Sequence, residues 1–503
     1  MKLVLALAAV AALALAPTVL AQRGPPAAAS TLAKDAELLD LPAFPAEASA
    51  KQVTHVAGKT LNYTATIGAL PVLDEKGRKV AEVVYTAYTL DGPQDPRRPV
   101  TFAFNGGPGA ASVYLNLGAI GPKRVQFGAA GDSPSDPTGM IDNAGTWLDF
   151  TDLVFIDPVG TGFSRSLLPD EQAKSRFFTV KSDIDYLSRI VFDWLVKNGR
   201  MASPKYVAGE SYGGFRAPRI AHTLQTDLGV GVAGVTMVSP FLDAASWSGG
   251  NFSPMPWVVL LPSMTASNLE RQGKLTPEAI AEVETYARTD YVTALLSGWR
   301  DPAVLDRMVK RVSDYTGLDP TMVRRWGGRI DSRAYLRELY RDTGKLGSWY
   351  DPNVTSNDPF PWAVNQQVND PILDQIIAPT TSAIVDFTTR IVGWKASGRY
   401  NALSGTVGRL WEPGWAQTAE SVSALRGSLA VDPKMKVLIL HGYDDLSCPF
   451  FVSQLVIDQI PLSVKGDASR LQLHLYPGGH MFYSRPDSQA QMRKDVMAMY
   501  GAR

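Results

Sequence analysis

Cysteine is nearly absent: Cys448 is the only one in 503 residues, so the chain can close no internal disulfide. A core of this size does not need one, even in an exported protein. Excess charge is absent too, since Lys+Arg and Asp+Glu both count 49. Nucleic-acid binding needs a cationic surplus to neutralise phosphates, so that class of function is excluded. With 45% hydrophobic and 19% charged residues, the composition also excludes disorder. Long apolar runs are missing except at the start, where Lys2 precedes Leu3 to Ala16 and then Val19-Leu20-Ala21. That run falls short of the roughly twenty residues of a membrane span. Small residues at Val19 and Ala21 suit cleavage before Gln22, so residues 1–21 read as a signal peptide. The expectation is a secreted or periplasmic protein, free of the membrane after signal removal. Without a cysteine near the cleavage site, a lipid-anchored form is not expected. Histidine is scarce, which makes a search for catalytic bases short.

What is present reads as strands alternating with helices. Residues 22–52 are rich in Ala and Pro and read as a loose arm. Residues 53–242 form the first part of a core. Alternation from Leu61 and again over Val80 to Leu90 predicts a hairpin at a sheet edge. The buried-strand candidates "VTFAF", "DLVFID", "YVAG" and "GVTMVSP" follow, then "KVLILHG" and "LQLHLYPGGH" near the end. Between them Asp183 to Val196 is amphipathic at helical spacing. This order predicts an α/β fold with a mostly parallel sheet covered by helices on both faces. Residues 243–384 break the pattern. Helix starts at Thr276-Pro277, Asp301-Pro302 and Asp319-Pro320 pair an N-cap with proline at the first helical position. This segment reads as a helical insertion, placed as a lid over the strand ends where open α/β sheets bind ligands. Residues 385–503 return to the core.

The chemistry centres on "YVAGESYGGFRAPRIA", residues 206–221. Here Gly209-Glu210-Ser211-Tyr212-Gly213 joins a strand to a helix, and so sharp a turn needs glycine on either side of Ser211. Such a turn raises the serine hydroxyl at a helix N-terminus. A nucleophile also needs a base, an orienting acid and an oxyanion site. Of the five histidines, His55 precedes the first hairpin strand and His222 lies on the helix after Ser211. His441 ends a strand and His474 sits within one. His480 follows "LHLYPGG", on a loop at a strand's C-terminal end, and is the best candidate. "KVLILHGYDDLSCP" offers Asp444 or Asp445 as the acid, in the chain order serine, acid, histidine. The glycine-rich loop in "FAFNGGPGAAS" suits an oxyanion donor and lacks the spacing of a dinucleotide cradle.

Four blocks together, "NGGPGAAS", "DPVGTGFS", "GESYGG" and "HGYDDLSC" with "GGHM", resemble the serine carboxypeptidases of the α/β-hydrolase superfamily, in a bacterial-type exported form. The resemblance runs from about residue 100 to 485 and implies the α/β-hydrolase fold with a helical lid. It implies Ser211 as nucleophile, His480 as base and Asp445 rather than Asp444 as the acid, three residues before Cys448. It also implies backbone oxyanion donors at Gly107 and Tyr212, and Asn105 with Glu210 as holders of a substrate's terminal carboxylate. The implied activity removes residues from peptide C-termini through an acyl-enzyme, favoured at acidic pH, without metal or organic cofactor. The family's second carboxylate-binding glutamate has no counterpart: in "LGAIGP" its position is Ala119. Cysteines that the family often pairs are missing as well, as at Ala110. An esterase or acyltransferase on the same triad is one alternative, and a catalytically inactive binding protein is another.

Overall fold

In the computed structural model the described residues are 38–501, apart from 94, 128–133, 136–137, 249–251, 364–369 and 468. The expected signal peptide, 1–21, and most of the arm, 22–52, lie outside them. Among the described residues fourteen strands run in chain order: β1 Ala48–Val56, β2 Lys59–Leu73, β3 Lys79–Leu90, β4 Val100–Phe104, β5 Lys123–Phe127, β6 Thr138–Asp142 and β7 Asp152–Ile156. They continue as β8 Arg165–Ser166, β9 Lys205–Glu210, β10 Gly234–Val238, β11 Lys345–Gly347, β12 Thr355–Asn357, β13 Lys436–Gly442 and β14 Leu471–Tyr476.

Ten of these form the central sheet, in the order β1-β2-β3-β7-β4-β9-β10-β13-β14 with the short β8 on β3. The first three strands and the β3–β7 pair are antiparallel, and every pair from β7 to β14 is parallel. The hairpin at the sheet edge appears as β2 and β3, and β1 adds one more strand outside it. Strand structure therefore begins at Ala48, inside the stretch read as a loose arm. The reason is pairing: Ala48 to Val56 lies in register along Ile67 to Lys59, and its backbone groups find partners there.

The inner parallel strands β4, β7 and β10 are mostly apolar and buried along their whole length. Helices 180–197 and 212–226 cover the sheet, and the first starts from a Thr179–Ser182 capping box. Between β10 and β13 the described residues contain no strand of the central sheet, and helices dominate. Three of them start as read from the sequence. Thr276 accepts from Ala279 N–H, Asp301 from Ala303 and Val304 N–H, and Asp319 from Thr321 N–H, each followed by proline. The helices bury Leu261, Val283, Val312 and Tyr335 in a cluster that continues into Leu446 and Phe450 beside β13.

Candidate active site

β9 ends at Glu210 and a helix begins at Tyr212, which leaves Ser211 alone at the turn. Its backbone is left-handed, φ 60°, a conformation that side chains other than glycine's rarely adopt and that stores strain. Ser211 N–H is held by Val238 O at 3.0 Å, so β10 fixes the turn from the neighbouring strand. The flanking glycines are required by space: a Cβ on Gly209 would come within 1.9 Å of Gly213 O, and one on Gly213 within 2.1 Å of Phe104 O. Both obstacles are backbone and cannot swing aside. Gly213→Ala should therefore cost at least about 1–3 kcal/mol of stability, measured as a lower urea midpoint at unchanged m-value.

The loop after β4 packs against this elbow. A Cβ on Gly106 would sit 2.4 Å from Tyr212 N, so the two backbones nearly touch. Among the described residues, the amides of Gly107 and Tyr212 donate to no other group, as expected for the first residue of a helix at Tyr212. The loop is tied down by buried Arg216, which donates to Asn105 O at 2.7 Å and pairs with buried Asp183 at 2.7 Å.

His480 follows β14, and Asp445 follows β13, its neighbour in the sheet. His480 Nδ1 and Asp445 Oδ2 are 2.7 Å apart, and both residues are buried. Asp445 Oδ1 accepts from Ser447 and Cys448 N–H at 2.8 and 2.9 Å. Burial pushes the Asp445 carboxyl up, while His480 and these donors oppose it. Burial also pulls the His480 imidazolium down, but the Asp445 carboxylate and its hydrogen bond outweigh this, so His480 titrates above its ordinary value. The loop holding His480 is anchored by His480 N–H to Tyr350 O at 2.6 Å and by Ser239 Oγ to His480 O at 2.9 Å.

Asp444 points elsewhere. It meets Asn353 Nδ2 at 3.3 Å and lies 3.9 Å from Arg485, with Glu270 and Asp351 beside it. Burial, then the neighbouring Glu270 and Asp351 carboxylates, push its carboxyl well above the usual carboxylate range.

The remaining histidines have other partners. His441 Nε2 meets Ser453 Oγ at 2.8 Å, and burial pulls its pKa down to about 3. His474 pairs with Asp495, His55 with Asp142, and His222 faces Ser428.

Ser211 and His480 line one cavity of about 370 Å³ together with Asn105, Gly107, Glu210 and Tyr212. In the cavity wall, Glu210 Oε2 accepts from Asn105 Nδ2 at 2.6 Å and Oε1 accepts from the Tyr483 hydroxyl at 2.9 Å. Burial pushes the Glu210 carboxyl up, against the pull of His480, Tyr483 and Asn105. Tyr483 was not singled out from the sequence, although it stands three residues beyond His480. Trp247, Trp349, Tyr350 and Leu373 of the helical segment also line this cavity, as does Trp415. Ala119 is fully buried on the turn 115–120, and its carbonyl accepts from Asn143 and Gln489.

Among the described residues, two groups each bring ligand-type atoms within 4.8 Å of one another: Asp445, Cys448 and His480, and separately Glu270, Asp351 and Asp444. In the first, Asp445 is engaged by His480 and two backbone amides, and in the second Arg485 supplies a countercharge to Glu270 and Asp351.

Residues 77–232 match the family model described as serine carboxypeptidase. Among curated proteins, the chain is 26% identical over 148 residues to serine carboxypeptidase-like 9 of Arabidopsis thaliana, covering 28% of this chain and 31% of that protein. It is 34% identical over 129 residues to the pheromone-processing carboxypeptidase kex1 of Talaromyces marneffei, covering 24% of this chain and 17% of that protein. These matches thus span a third or less of each relative's length. In fold, the chain is similar to the crystal structure of Kex1(Δ)p, a prohormone-processing carboxypeptidase from Saccharomyces cerevisiae. The TM-score is 0.55 at 16% identity, over 87% of this chain and 91% of that one.

Proposed function

We propose that the chain, whose residues 77–232 match the serine carboxypeptidase family model, is an exported peptidase of that family that releases C-terminal residues through an acyl-enzyme on Ser211. Ser211 attacks the scissile carbonyl while His480 Nε2 takes its proton, then returns it to the leaving amine. Asp445 keeps the imidazole in the tautomer that leaves Nε2 free. Gly107 and Tyr212 amides receive the oxyanion, and loss of one such donor typically costs about a hundred- to a thousandfold in rate. The observation that carries the reading is the 2.7 Å His480–Asp445 bond beside the cavity that the strained Ser211 enters. Residues 1–21 serve as its signal and the helical segment 243–384 as a lid, a role supported by its aromatic residues in the cavity wall.

Asn105 and Glu210 hold the substrate's terminal carboxylate in this scheme. Below its raised pKa, Glu210 carries a proton that it can share with that carboxylate. Above it, two negative groups face each other, so KM for a free-acid peptide rises with pH. At the acid end, protonated His480 accepts no proton and kcat falls. Comparison of a peptide with its C-terminally amidated twin, from pH 4.5 to 8, tests this. The free acid should be preferred by roughly tenfold or more at the acid end, the scale of a hydrogen bond to a charged group, with the preference shrinking as pH rises. Equal turnover of both at every pH would favour the second reading, an esterase or acyltransferase, to which the missing carboxyl at Ala119 already points.

A further inference from the structure

A second cavity, about 600 Å³, adjoins the catalytic one: Tyr114 and Met481 line both. Tyr483, whose hydroxyl holds Glu210, forms part of its wall, and so does Gly479 next to His480. The cavity thus borders Tyr483, the partner of the Glu210 that holds the leaving residue's terminal carboxylate in the proposed reaction.

Its charged lining is uneven. Arg485 and Asp351 bond each other at 2.8 Å, and Arg485 also bonds Glu270. Arg124 has no such partner. No hydrogen bond, ion pair or ring contact engages its guanidinium among the described residues, although neighbouring Lys123 is paired with Asp142. Arg124 is half-buried on β5, beside apolar Leu117, Val125 and Ile372. Burial without a countercharge pulls its pKa below the usual arginine range. A guanidinium held out of water without an acceptor leaves fork-shaped donors unused, and a carboxylate matches that fork.

Resting on the peptidase reading, we propose that this cavity receives the side chain of the leaving residue and that Arg124 selects acidic ones, C-terminal Glu or Asp. The terminal carboxylate stays with Asn105 and Glu210. Arg124 is then a specificity residue that does not take part in bond breaking.

The test compares N-blocked peptides ending in Glu and in its isostere Gln, on wild type, Arg124→Gln and Arg124→Lys. Wild type should favour Glu by about tenfold or more in kcat/KM, the scale of a hydrogen bond to a charged group, mainly through KM. In Arg124→Gln the ratio should fall to near one, and Arg124→Lys should restore part of it. Misfolding lowers both substrates alike and leaves the ratio unmoved, so it cannot imitate this result. An equal Glu/Gln ratio in wild type and Arg124→Gln, with peptides still cleaved, overturns the acidic-pocket proposal and leaves the peptidase reading intact. Absence of any cleavage by wild type overturns both.

Discussion

Ser211→Ala should lower kcat on a good peptide substrate by about a millionfold, the scale seen when the nucleophile of a serine triad is removed. The size of the loss follows from the turn. Ser211 is strained at φ 60°, held by β10 and backed by two glycines that admit no side chain, so the turn presents its hydroxyl as the attacking atom. Alanine keeps the backbone and the oxyanion amides, so the variant should fold, bind substrate with little change in KM and resist labelling by a fluorophosphonate. Single-turnover kinetics and mass spectrometry of the labelled protein read both effects. A variant that still turned over peptides at the wild-type rate would remove Ser211 from the mechanism.

Asp445→Asn should cost about ten-thousandfold in kcat, the effect of forcing the wrong imidazole tautomer in a serine triad. The carboxylate accepts from His480 Nδ1 at 2.7 Å, while its other oxygen is occupied by two backbone N–H groups. An amide in this position can turn its NH₂ toward the ring, and Nε2 then carries the proton and cannot act as base. The same change next door should behave differently. Asp444 is buried and faces Asn353 and Arg485, away from His480, and burial pushes its carboxyl up. Asp444→Asn should therefore leave kcat within a few-fold and show itself, if at all, as a change in stability. The pair separates the two adjacent aspartates by kinetics alone, and equal losses from both would contradict the assignment.

The α/β architecture was legible because parallel strands leave a plain trace: apolar runs such as "VTFAF" and "GVTMVSP" between helical periods. Helix starts in the 243–384 segment were legible for a local reason, since a cap and a following proline act on their own first turn. The edge strand β1 was not legible. Its Ala, Ser and Lys residues have no strong strand signal, and only the register along β2 makes them a strand. Tyr483 and Arg124 escaped notice for the same kind of reason. Nothing in "GGHMFYS" or "PKRVQF" marks a tyrosine that holds Glu210 or an arginine without a partner among the described residues.

By itself, then, the sequence determined the serine turn between Gly209 and Gly213, the choice of His480 from five histidines, and the alternation of strands and helices. These depend on steric demands and spacing within a few residues of the chain. The family resemblance singled out Asp445, but the residues read alone left two adjacent aspartates open; tertiary structure decided which of them meets His480, which aromatic residues wall the cavity, and that Arg124 has no partner among the described residues beside it. Those outcomes depend on distances between segments hundreds of residues apart, which are set by the order of strands in the sheet and by the packing of helices on it.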